Sequence, residues 1–121
     1  MIKKMRNRKN KYYIGNRYNH SAELEVEVVV YHENHFLIEK YFLTPKESQK
    51  LFNHSPDGFE WGYGGSGPAQ LSLAILLDFT GDKDISLKNY QNFKYDIISN
   101  FDRESFNLSE REIKNWLKYN T

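Results

Sequence analysis

Gly58-Phe59-Glu60-Trp61-Gly62-Tyr63-Gly64-Gly65-Ser66-Gly67-Pro68-Ala69-Gln70 runs directly into Leu71-Ser72-Leu73-Ala74-Ile75-Leu76-Leu77, and the reading of this stretch decides the fold. The second part is apolar at nearly every position. As a helix of about three turns, closed at Gly81, it presents no polar face and has to lie between other elements. The start is marked by Gly67 as cap, Pro68 at the first helical position and Gln70 in the first turn. The first part is a glycine-rich loop. With His54-Ser55-Pro56-Asp57 before it, it gathers five of the seven glycines of the chain. Such a segment lets the backbone approach a neighbouring group closely, and the free N–H groups of the helix start favour an anion or a carbonyl oxygen.

Upstream the periodicity is that of strands. Leu24, Val26, Val28 and Val30 alternate with Glu23, Glu25 and Glu27, which predicts a half-buried strand over 23–31. His35 to Leu43 (HFLIEKYFL) follows across the short polar break Glu33-Asn34, and the two runs predict an antiparallel hairpin. Tyr12-Tyr13-Ile14-Gly15 predicts an edge strand before them.

After the strands every signal is helical. Thr44-Pro45-Lys46-Glu47 has the pattern of a capping box opening a short helix through Phe52. Beyond Gly81, the stripe Leu87, Tyr90, Phe93, Ile97, Ile98 and Phe101 predicts a helix from Asp84 or Ser86. Ser109-Glu110-Arg111-Glu112 predicts a last capped helix burying Ile113, Trp116 and Leu117. Strands first and helices afterwards imply an α+β fold, with a small antiparallel sheet over 12–43 packed against three to four helices over 44–121 and the glycine-rich loop at 58–67.

The 121 residues suffice for one domain with one core, read here as 1–121. Without cysteine, a thiolate metal site, a disulfide or a cysteine nucleophile is excluded, and the simplest expected compartment is cytoplasmic. No apolar run is long enough to span a bilayer, so no membrane partner is expected. Six of the 17 basic residues (Lys3, Lys4, Arg6, Arg8, Lys9 and Lys11) fall in the first eleven positions, a basic arm at 1–11 read as a solvated tail. The rest of the chain is acidic, which makes nucleic acid an unlikely partner for a broad face.

From Asn53 onward the sequence resembles a family of short uncharacterised proteins of bacteria, archaea and phages, a family without an assigned function. The matching segments are Asn53 to Leu76, Tyr90 to Ile98 and Leu108 to Ile113. The resemblance implies that Asn53 to Gln70 is a hallmark of the family, and that a phage or mobile-element origin fits the chain.

Several chemistries can be set aside. Gly62 to Gly67 fits G-x-G-x-x-G, but a dinucleotide fold needs a strand before it and another after the helix, where a second helix is predicted. A P-loop would need lysine and Ser/Thr where Pro68-Ala69 stand. His54, Ser55 and Asp57 lie too close in sequence to orient as a catalytic triad, and Ser-Pro-Asp-Gly is a turn. His32-Glu33-Asn34-His35 is one residue short of H-E-x-x-H, so no metal is assigned.

The expectation is therefore a non-catalytic module that holds a nucleotide-like or other phosphate-bearing ligand, for instance a sponge for an anti-defence signal. The expected contacts are His54, Glu60, Trp61, Tyr63, Gly64, Gly65, Ser66, Gly67 and Gln70, with no cofactor. An inhibitor that binds a host defence protein is the alternative. A nucleotide-processing enzyme with His54 or Glu60 as acid or base is the third reading, and the enzyme question leans towards none. A homo-oligomer is compatible with each.

Overall fold

The order of elements is β1 (Lys9–Asn16), β2 (Val26–His32), β3 (Leu37–Leu43), α1 (Lys46–Leu51), α2 (Ser66–Thr80), α3 (Lys83–Asp96), a single 3₁₀ turn at Ile98–Asn100, β4 (Ser105–Ser109) and α4 (Glu110–Asn120). This is a computed structural model, and it describes residues 9–17 and 24–120. Of the basic arm, Lys3, Lys4, Arg6 and Arg8 lie outside the described residues, as does Glu23. Lys9 and Lys11 belong to β1, so the strand begins inside the segment read as a tail.

The four strands form one antiparallel sheet in the order β3-β2-β1-β4. The fold is α+β as expected, with two corrections: β1, expected at an edge, is an inner strand hydrogen-bonded to both β2 and β4, because the unforeseen β4 covers its free side, and the C-terminal half is not wholly helical. In β4, Phe106 and Leu108 point inward while Ser105 and Asn107 are exposed, and the strand pairs with β1 at Gly15↔Phe106 and Tyr13↔Leu108. Five residues ending in a capping box carry too short an alternation to stand out from the helix signal. The β2–β3 hairpin turns through His35, whose φ of 72° is left-handed; its N–H donates to the His32 carbonyl at 2.7 Å.

The core lies between the inner face of the sheet and the helices. Tyr13, Val26, Val28, Phe106 and Leu108 meet Leu71, Leu73, Ile75 and Leu76 of α2, with Phe93, Ile98, Ile113 and Trp116 closing the other side. All ten positions of α2 from Gly67 to Leu76 are buried, as its unbroken apolar pattern requires. One polar group on α2 fixes its position against the sheet. Asp78 accepts from the Tyr13 hydroxyl at 2.6 Å, the Tyr41 hydroxyl at 2.9 Å and Lys11 Nζ at 3.3 Å. Burial first, and then the Asp78 carboxylate, push the Tyr13 phenol far above its ordinary range, so it remains a donor.

The caps differ from expectation in detail. At α4 the box is closed: Glu112 N–H donates to Ser109 Oγ at 3.2 Å, and Ser109 N–H donates to Glu112 Oε1 at 3.2 Å. At α1, Pro45 holds the cap position without a side-chain bond, so Thr44 does not cap. α3 starts at Lys83, one residue before the earlier of the two expected starts, capped by Asp82, which accepts from Ile85 N–H at 3.0 Å. It ends before Ile97, and Leu87 of the predicted stripe is exposed. α2 begins at Ser66 with Gly65 as cap, so Pro68 lies in the third helical position.

Candidate functional site

The glycine-rich loop is built by two residues that go inward and one that goes out. Ser55 to Gly58 is the expected turn, with Gly58 N–H donating to the Ser55 carbonyl at 3.3 Å. Phe59 and Trp61 then enter the core. Trp61 is fully buried, edge-on to Phe106 at 4.9 Å, with its Nε1 donating to the Arg103 carbonyl at 3.2 Å. Gly62 turns the chain back out at φ +87°, its N–H donating to the Ile98 carbonyl at 3.1 Å. Tyr63 follows, 42% exposed, with the Arg103 guanidinium 5.5 Å from its ring centroid.

This arrangement divides the nine expected contact residues. Trp61 offers no ring face for stacking, because the ring is part of the core. The glycine that makes room for it is Gly15 of β1: a Cβ there would stand 2.9 Å from Trp61 and 2.2 Å from Phe106.

Gln70 is likewise taken out of reach. Fully buried, its carboxamide oxygen accepts from His54 N–H at 2.7 Å and Ser55 N–H at 3.0 Å, while its nitrogen donates to Ser48 Oγ at 2.8 Å and the Phe52 carbonyl at 3.2 Å. Every lone pair and hydrogen expected of a carboxamide has a partner inside the fold.

Gly67 is a packing glycine, since a Cβ there would lie 2.5 Å from Glu60 Cβ. Glu60 itself is held in a fork by Arg17, at 2.7 Å and 3.0 Å, and accepts Trp61 N–H at 3.1 Å. The bonded guanidinium keeps its carboxyl below the ordinary range. An ionised, paired Glu60 is a poor acid or base for the enzymatic reading.

Four of the nine remain open to a visitor. Tyr63, Gly64 and Ser66 are exposed, and His54 is half-buried. Gly65 caps α2 beneath the Tyr63 ring, where a Cβ would approach the ring edge to 2.6 Å. His54 stacks on Phe52 with ring centroids 4.3 Å apart, and its Nε2 lies 2.6 Å from the Tyr90 hydroxyl. Burial, and then the charge of Lys94, hold this imidazole below the ordinary histidine value. It is neutral at pH 7.

A cleft of about 450 Å³ opens at the start of α2, lined by Ser55, Asp57, Phe59, Glu60, Tyr63, Ser66 and Gly67 among others. A second groove of about 480 Å³ lies between β3, α1 and α2, lined by Tyr41, Leu43, Leu51, Leu77 and Asp78 among others. It is the more apolar of the two, and its half-buried acid, Asp78, is already engaged by two tyrosines and a lysine. The loop cleft is the better candidate, because exposed hydrogen-bonding groups converge on it.

Sequence reasoning missed four members of this region: Arg17, Lys94, Tyr95 and Arg103. Lys94 and Tyr95 follow Phe93 in the α3 stripe, and a helical wheel places Lys94 one turn from Tyr90, on the face turned to α2. Arg17 and Arg103 lie in connecting segments with no local pattern.

Fold and site geometry together define a small α+β protein with an open cleft at the start of a central buried helix. The chain belongs to the family of unknown function DUF6166, which matches residues 13–119. That match takes in all of β2 and β3 and the second half of β1, more than the loop and helices that carry the resemblance in the sequence. No curated protein and no solved structure matches the chain.

Proposed function

We propose that the protein is a non-catalytic binding module that holds a nucleotide-like or other phosphate-bearing ligand at the loop 62–67 and the start of α2. The observation that carries this reading is the exposed Tyr63 ring, backed by Arg103, at the lip of a cleft that reaches Ser66 and Gly67. A phosphate there meets N–H groups that have no carbonyl within the helix, and a base stacks on a ring that a cation already polarises.

The energies limit what each part supplies. A helix terminus contributes about 0.3–1 kcal/mol to an anion and up to about 2 in a partly buried setting, whereas micromolar affinity needs about 8. Stacking on Tyr63 adds about 1–3 kcal/mol. With Trp61 and Gln70 enclosed, the rest has to come from hydrogen bonds and from cations around the loop, which favours a ligand with several anionic oxygens over one with a single weak charge.

A phage origin, with the ligand a host immune signal, is consistent with the family resemblance and gives the panel to test. Isothermal titration against cyclic dinucleotides, cyclic oligoadenylates and ADP-ribose derivatives should give heat with at least one class, and Tyr63→Ala should abolish it without lowering Tm. Absence of heat across the panel refutes the reading.

A second reading, an inhibitor of a defence enzyme, draws on a different surface. Phe36, Leu37, Ile38 and Phe42 are exposed side by side on and beside the edge strand β3, an apolar strip that suits a protein partner. A pull-down from host lysate that retains a stoichiometric protein, lost on Phe42→Ser and Leu37→Ser, would favour it.

A further inference from the structure

Lys94 is 6% exposed, and among the described residues its ammonium makes no hydrogen bond and no ion pair. Its one attractive contact is the face of Tyr95, 4.1 Å from the ring centroid. No fully enclosed side-chain nitrogen among the described residues lacks a partner, so the tip of this ammonium touches solvent through the little surface the residue has left. A cation so deeply set is ordinarily paired, because leaving water is costly and only an opposite charge or several acceptors recover the loss. This one instead faces another potential cation, His54, whose protonation it opposes.

The position of Lys94 gives the mismatch a meaning. α2 and α3 form an antiparallel hairpin, tied where Ser72 Oγ donates to the Tyr90 carbonyl at 2.6 Å. One turn further along α3, Lys94 is level with the first turn of α2, whose N–H groups also attract negative charge. Tyr95 continues the surface towards the loop: a Cβ on Gly64 would lie 3.7 Å from its ring, and the ring is 61% exposed. The Tyr90 hydroxyl and His54 complete the surroundings.

We propose that Lys94 is the anion anchor of this protein: the phosphate of a ligand pairs with its ammonium on the α3 side of the α2 start, and the ligand's ring lies towards Tyr95 and Tyr63. The inference deepens the binding reading above and rests on it. The competing explanation is that Lys94 only complements the C-terminal dipole of α3 while its stem fills space. The two part on whether the charge matters to a ligand or only to the fold.

Titration of ¹⁵N-labelled protein with inorganic pyrophosphate and with AMP, followed by NMR, decides between them. In the wild type both probes should shift the amides of Gly64 and Ser66, and the His54 ring should titrate at higher pH once the anion is bound. Lys94→Met keeps the length of the stem and removes the charge. It should weaken both probes at least tenfold while leaving Tm unchanged or higher, and Lys94→Arg should restore most of the affinity. Equal binding of AMP by wild type and Lys94→Met overturns the anchor and leaves the loop reading standing. No shift at the loop with either probe in the wild type overturns both. Should Lys94→Met fail to fold, the wild-type His54 titration decides alone: an unmoved His54 pKa at saturating AMP overturns the anchor.

Discussion

Gly15→Ala is the perturbation that tests most directly how the core accommodates Trp61. The added methyl carbon would stand 2.2 Å and 2.7 Å from two atoms of the Phe106 ring and 2.9 Å from Trp61, against an optimum near 3.5–4.0 Å between carbons. Neither ring has room to retreat: Phe106 is stacked on Phe101 at 4.2 Å and meets Trp61 edge-on. Alanine would otherwise favour the strand by about 0.5–1 kcal/mol over glycine. Overpacking costs about 1–3 kcal/mol and occasionally more; taking the upper end of that range less the gain from alanine, the net loss should be about 2–2.5 kcal/mol. For a chain of this size each kcal/mol moves Tm by about 3–5 °C, and urea unfolding followed by circular dichroism and tryptophan fluorescence reads the same quantity independently. Phe106→Leu should relieve the collision, so that the double variant loses about 1–2 kcal/mol less than the sum of the single ones. A Gly15→Ala protein that melts within about 1 °C of wild type, or additive losses in the double variant, would refute the account of the packing around Trp61.

Gln70→Leu keeps the volume of the side chain but strands two backbone N–H groups and the Phe52 carbonyl, while Ser48 Oγ keeps its bond to the Pro45 carbonyl; a loss of about 3–5 kcal/mol is expected, and a urea midpoint close to wild type would show that water replaces the carboxamide. Gly67→Ala should destabilise through its collision with Glu60, whereas Gly64→Ala, in ordinary contact with Tyr95, should be neutral in Tm; equal melting of the two variants contradicts the division of the loop into packed and open glycines. Among the described residues, Glu60 and His54 contribute to the acid response. Glu60 is held below its ordinary value, so its contribution is complete above about pH 4.5 and is lost as the pH falls through its lower folded value. His54 is also held down, so the unfolded chain binds its proton first and stability declines as the pH drops below about 6.5. Arg17→Met should flatten the first slope and His54→Phe the second, measured as ΔG of unfolding against pH.

Much of this fold was legible because its signals are redundant. The alternation of Val26, Val28 and Val30 and the unbroken apolar run of α2 each admit one burial pattern, and the Ser109-Glu112 box is satisfied by local geometry alone. β4 was not legible, because a five-residue edge strand gains its stability from pairing with β1, which no local pattern displays. The site was half legible for a similar reason. Composition marks the loop, but whether Trp61 or Tyr63 faces outward depends on Gly15 and Phe106, residues far away in the sequence. Gln70 looked like a free polar contact because its four partners come from Ser48 to Ser55. Lys94 was hidden because a lysine in the last turn of a helix is ordinary, and only its enclosure without a counter-charge sets it apart.

The Gln70 carboxamide has a kinetic consequence. By clamping the backbone of His54 and Ser55 to α2 and to the end of α1, it leaves that wall of the cleft with a single geometry, since any displacement would break buried bonds. Adjustment to an incoming molecule then falls to the side chains of Tyr63 and Arg103, which reorient within nanoseconds. Encounter should therefore proceed without a slow gate. In stopped-flow the observed rate should rise linearly with ligand concentration, with no plateau of the kind a rare competent conformer imposes, and differences in affinity between ligands should appear in how long they stay.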